Sequence, residues 1–67
     1  MKFIDAVNSA YERAQSGVLN PTTIVRESTK TNDEGEVKIY ADGVGTFFFD
    51  EFSVKDINAD DWMISVD

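Results

Sequence analysis

The sequence predicts an α+β domain: one N-terminal amphipathic helix packed on a small antiparallel sheet of about four strands, with a short helical turn before the last strand. Three observations carry that expectation. Apolar residues recur at spacings of three and four from Phe3 onward; short segments rich in β-branched and aromatic residues follow, separated by clusters of Asn, Asp, Gly and Pro; and the run Phe47-Phe48-Phe49 makes both faces of one strand apolar. The chain is 42% hydrophobic and 12% aromatic, too rich in core-forming residues for a disordered segment.

In the first element, Phe3, Val7, Ala10, Tyr11 and Ala14 share one face, with Asp5, Asn8, Ser9, Glu12, Arg13 and Gln15 largely between them, so the helix runs from Phe3 to Ser16. Gly17 can take the left-handed conformation that ends a helix, and Asn20-Pro21 forms a turn the helix cannot continue through. Thr22 to Thr29, with Thr22, Thr23, Ile24 and Val25, reads as the first strand. The polar cluster Thr31-Asn32-Asp33-Glu34-Gly35 turns the chain into Glu36 to Ala41, whose alternation places Val37, Ile39 and Ala41 on one face and completes a hairpin. Asp42-Gly43 and Gly45 lead into a third strand, Thr46 to Phe49. Ser53-Val54-Lys55-Asp56 has the S-x-x-D form of a capping box, which predicts a helical turn ending near Asn58, and Trp62 to Val66 is the last strand. With no internal repeat, low-complexity run or linker, residues 1–67 are expected to form a single domain.

The triple Phe bears on assembly. Phe47 and Phe49 are expected on the helix side of the sheet, whereas Phe48 points away and needs other cover. Within one chain Phe52, the turn at 53–58 and a curled strand edge would supply it; otherwise a partner chain does, which makes Phe48 and Phe52 the expected oligomer interface. A domain of 67 residues buries only about 60% of the surface its unfolded chain exposes and gains most from an interface. Without Cys or His it has neither disulfides nor the usual structural zinc ligands, so a homo-oligomer, dimer or tetramer, is expected.

Charge narrows the function classes. The chain sets 13 Asp and Glu against 6 Lys and Arg, a net charge of -7. Residues 1–30 carry Lys2, Arg13, Arg26 and Lys30 against Asp5, Glu12 and Glu27, a balance of +1 that leaves -8 for residues 31–67. Such a chain repels a phosphate backbone, so no direct nucleic-acid binding is expected, although a small anion finds the first half hospitable. Lacking His and Cys, it lacks the commonest general base, the commonest neutral metal ligand and the thiol nucleophile. The expectation is therefore no enzyme, no catalytic residue, no metal and no cofactor. No apolar run approaches the ~20 residues that span a bilayer, so no membrane partner and a soluble, intracellular protein are expected.

Three constellations bear on chemistry. Asp56-Ile57-Asn58-Ala59-Asp60 matches the opening of a calcium loop and Asp67 falls at its twelfth position, but the sixth position, where that loop needs Gly, is Asp61; a solvated acidic turn is the better reading. Arg26, Lys30 and Lys38 on the first hairpin, with Tyr40, would offer a guanidinium fork for phosphate and an aromatic face for a base, against the plainer reading of surface ion pairs with Glu27 and Glu36. Trp62 either anchors the core, its indole N–H bonded to a carbonyl, or stacks on a ligand. The candidate ligand-binding residues are thus Arg26, Lys30, Tyr40 and Trp62.

Two segments at opposite ends carry a family resemblance. Met1-Lys2-Phe3-Ile4-Asp5-Ala6-Val7 resembles the M-x-F-x-x-A start of the second Thoeris anti-defence family of phages, and the segment from Ser53 to Val66, with Ala59-Asp60-Asp61-Trp62 at its centre, is similar to that family's S-x-x-D-(aliphatic)-x-A-(acid)-D-W closing element. Where the family commonly has an R-x-x-W-N-G type element after the first helix, this chain has Val25-Arg26-Glu27-Ser28, and Arg26 is the position that matches. The resemblance implies a compact α+β homotetramer acting in the host cytoplasm as a sponge, holding cyclic ADP-ribose-type or related cyclic nucleotide immune signals between subunits without cleaving them. It would place Arg26 and Lys30 on phosphate and Tyr40 or Trp62 on a base. A second reading, from charge alone, is an acidic inhibitor that covers a basic surface of a host protein, imitating DNA. A third is an assembly component that uses Phe48 as its interface.

Overall fold

A computed structural model describes residues 1–27, 36–47 and 54–65. Its elements are α1 (Phe3–Gln15), β1 (Thr22–Arg26), β2 (Val37–Ile39), β3 (Gly45–Phe47), α2 (Val54–Asn58) and β4 (Trp62–Ser65). The strands form one antiparallel sheet in the order β3-β2-β1-β4, with α1 packed across β1, β4 and β2. The α+β architecture expected from the sequence is the one observed.

Helix α1 approaches the sheet through Ala6, Ala10 and Ala14, all buried. Their four-residue spacing stacks them on one face, and their small side chains let the helix axis come close to the strands. Around this contact Ala6, Ala10, Ile24, Val37, Ile39 and Trp62 form the core, with Phe3, Val7, Tyr11, Ala59 and Ile64 packed at its border. The helix ends where Gly17 takes φ +80, and the Gly17 N–H donates to the Ala14 carbonyl at 3.2 Å. The Asn20-Pro21 peptide is cis. Just beyond it, the buried Thr22 hydroxyl donates to the Leu19 carbonyl, which satisfies the one fully buried polar side chain among the described residues.

Cross-strand partners share a face of a sheet. Thr22 pairs with Ile39, Ile24 with Val37 and Ile64, Arg26 with Trp62, and Val37 with Phe47, so all of these lie on the helix side. Thr23, Val25, Lys38, Thr46, Met63 and Ser65 lie on the other. Strand boundaries differ from expectation: β2 begins at Val37 rather than Glu36 and β3 at Gly45 rather than Thr46, and two strand ends move further. Ladder pairing in β1 ends at Arg26 rather than Thr29, and in β2 it stops at Ile39. Tyr40 opens a tight turn in which its carbonyl accepts from Gly43 and its N–H donates to Val44, while the Ala41 N–H is taken by the Asn20 side chain. Ala41 therefore leaves the apolar face it was expected to share with Val37 and Ile39.

Phe47 sits on the helix side as expected but remains 53% exposed. Helix α1 packs across β4, β1 and β2, which leaves β3, at the far edge of the sheet, overhanging it. The expected interface residues Phe48 and Phe52, the third strand's Phe49, the cap residue Ser53 and Lys30 lie outside the described residues. Among the described residues, no helix is long and apolar enough to cross a membrane.

Candidate functional site

Arg26 is the last residue of β1, and its side chain reaches two carboxylates brought in from the other end of the chain. Nε donates to Asp61 Oδ1 at 2.8 Å and Nη1 donates to Asp56 Oδ1 at 2.7 Å. The same segment is tied down twice more: the Trp62 indole N–H donates to the Asp56 carbonyl at 2.7 Å, and the Glu27 N–H donates to the Asp61 carbonyl at 2.9 Å. Hydrogen bonds to Asp61 first, and Asp56 second, hold the Arg26 guanidinium above its ordinary pKa, against a smaller opposing effect of burial. Asp56, the first acid of the D-x-N-x-D run, and Asp61, which stands where a calcium loop needs Gly, thus neutralise the Arg26 cation, and among the described residues no group of three potential ligands converges on a metal site.

The described members of the expected ligand set, Arg26, Tyr40 and Trp62, stand in different places. Both edges of the Arg26 fork used above are already filled by carboxylates, so a phosphate would have to displace Asp56 and Asp61 to bind there. Lys38 pairs with Thr23 and lies on the opposite face of the sheet from Arg26. Tyr40 follows the Thr22–Ile39 pair, and Thr22 stands four residues, about 13 Å of strand, from Arg26. Arg26, Lys38 and Tyr40 therefore do not converge within one chain. Trp62 follows the core reading: it is 1% exposed, its N–H is bonded to a carbonyl, and its ring meets Phe3 edge-on with centroids 4.9 Å apart, leaving no free face for a ligand.

The overhang of β3 opens a groove of about 440 Å³ between α1 and the β2–β3 hairpin. One wall comes from Val7, Asn8 and Tyr11, the other from Phe47, and the base from Val37, Ile39, Gly43 and Gly45. Gly43 has φ +88, which only glycine adopts without strain, and a Cβ there would lie 3.9 Å from the Tyr11 hydroxyl. A Cβ on Gly45 would come within 3.3 Å of Ile39 Cδ1, so a side chain at this position crowds the groove. Among the described residues, no charged side chain lines it. Sequence reading placed Tyr11 in the helix's apolar stripe and Asn8 on its polar face; their position at the boundary between the two faces was the one available sign that they border an opening.

No family model, curated protein or solved structure matches this chain.

Proposed function

We propose that the protein is a non-enzymatic, oligomeric phage anti-defence protein that sequesters a cyclic nucleotide immune signal of cyclic ADP-ribose or cyclic dinucleotide type. One observation carries the reading. The two segments that resemble the anti-defence family, remote in sequence, form a single packed unit: the Met1 nitrogen donates to the Trp62 carbonyl at 2.9 Å, the Trp62 N–H donates back to the Met1 carbonyl at 2.9 Å, and Phe3 packs on the Trp62 ring. Residues that match a family only as scattered composition have no reason to meet; residues that belong to one structural element do.

Sequestration requires affinity and stoichiometry, not turnover, because a binder in excess of its signal lowers the free concentration by mass action. That suits a chain without His or Cys. It also suits one that leaves Ile4, Val18, Val44, Phe47 and Val54 at least half exposed, since apolar surface of this extent is available for contacts between copies. A phosphate group would be held where copies meet, with Arg26 contributing through exchange of a carboxylate partner.

Isothermal titration against a panel of cyclic dinucleotides and cyclic ADP-ribose isomers, alongside molar mass by light scattering, tests the reading. Saturable binding to an oligomer with the ligand recovered intact is the expected result. A folded oligomer that binds no member of the panel overturns it. The excess of acids in residues 31–67 supports the acidic-inhibitor reading, for which a host partner captured at low salt and released at high salt would be the signature.

A further inference from the structure

We propose that the groove between α1 and the β2–β3 hairpin is a binding site for a planar, uncharged heteroaromatic ring of nucleobase type, held between Tyr11 and Phe47 and read by the Asn8 amide. At about 440 Å³ the groove falls within the range of small-molecule sites and takes a base with its sugar. Tyr11 of α1 and Phe47 of β3 both line the groove, and a base offers a π-face to either ring. Gly43 and Gly45 add no side chain to the base, so Val37 and Ile39 floor the slot and the Tyr11 ring lies within 4 Å of where a Gly43 Cβ would stand.

The polar groups on this slot are unspent. Neither the Asn8 amide nor the Tyr11 hydroxyl makes a hydrogen bond within the protein among the described residues. An Asn amide presents a donor and an acceptor side by side, the pattern that complements the paired donor and acceptor on the edge of adenine. Among the described residues the lining carries no charge, and the chain as a whole carries -7, so the groove suits a neutral ring. The site deepens the sequestration reading, on which the identity of the natural ligand rests, by assigning the part of the signal that a single chain grips.

The test is an NMR titration of the full chain with the uncharged nucleosides adenosine, guanosine, cytidine and uridine. Saturable shifts of the Asn8 side-chain amide and of the Tyr11 and Phe47 rings are expected, larger for purines. Asn8→Ala, on an exposed helical position, should weaken binding about fivefold, the worth of a single hydrogen bond. Gly45→Val, which fills the slot, should abolish it; Tyr11→Leu replaces that variant if Gly45→Val fails to fold by circular dichroism. The site is overturned by the absence of saturable shifts at millimolar nucleoside, by shifts that these variants leave unchanged, or by shifts of the same residues that follow protein concentration alone, which would assign the groove to a second copy. Cyclic nucleotide binding that survives the variants removes this site and leaves sequestration standing; nucleoside binding without any cyclic nucleotide binding does the reverse.

Discussion

The two ends of the sheet use the same materials to opposite effect. At the Arg26 end, α2 and the Ala59–Asp61 turn add a second cover beside α1, and the groups there are paired internally: Arg26 with Asp56 and Asp61, the Trp62 indole with a backbone carbonyl, Met1 with the Trp62 backbone. At the β3 end the helix is the only cover described. There Phe47 stays half exposed, and the Asn8 and Tyr11 polar groups are left for solvent or a ligand. The contrast separates stability from recognition. Groups that satisfy one another hold the fold together but have nothing left to offer a ligand, whereas an overhanging strand contributes little burial and keeps its chemistry available.

If that division is right, substitutions should cost most at the closed end. Trp62→Ala removes the largest fully buried side chain and should destabilise by about 3–5 kcal/mol, a large share of the 5–15 typical of small domains. Urea unfolding followed by far-UV circular dichroism reads it; a cost below about 1 kcal/mol would erase the distinction.

Arg26→Ala comes next, at about 1–2 kcal/mol. It leaves Asp56 and Asp61 facing each other without their cation, and the partial exposure of all three side chains, 25%, 29% and 32%, screens the loss. Adding Asp61→Asn should recover part of it, a coupling measured by a double-mutant cycle. The sign of the pH dependence follows from the raised guanidinium pKa. The stabilisation is complete below Arg's unfolded value and is lost only as pH climbs through the higher folded one, so alkaline titration from about pH 7 to about pH 10 should leave the contribution of Arg26 ionisation unchanged.

Gly43→Ala should cost about 1 kcal/mol, the strain of a left-handed residue, because the added methyl meets Tyr11 only at ordinary contact distance. Gly17→Ala, equally left-handed at φ +80 and in open space, is the control, and equal losses in chemical denaturation would show that the backbone alone sets both. Smallest is Phe47→Ser, expected to cost under about 1 kcal/mol in dilute monomer because the ring is already 53% exposed. A larger cost that grows with protein concentration would show that the open end is closed by another copy.

Most of the architecture was legible because its signals are short-range. Ala6, Ala10 and Ala14 recur at helical spacing, Gly17 marks the stop, and the turn ending at Asn58 and the strand opening at Trp62 announce themselves within a few residues. The indole bond of Trp62 was legible for a different reason: a buried N–H must find an acceptor. The candidate site was much less so. Asp56 and Asp61 look the same in sequence whether they wait for calcium or for Arg26, which stands 30 residues before the first of them and 35 before the second. Arg26 and Tyr40 look like neighbours on a hairpin until register and pleat place them at different ends of the sheet. The groove has no motif, since it exists because β3 is the outermost strand.

Residue order by itself determined where the helices and strands begin, which of their faces is apolar, and that no thiol or imidazole chemistry is available, because each depends on composition or on contacts within a few positions along the chain. The folded form alone decided that β4 lies beside β1, that two acids close on Arg26, and that Asn8, Tyr11 and Phe47 border one slot. Those outcomes depend on which distant segments share the limited surface of a single helix, a competition settled by packing and not written at any one position.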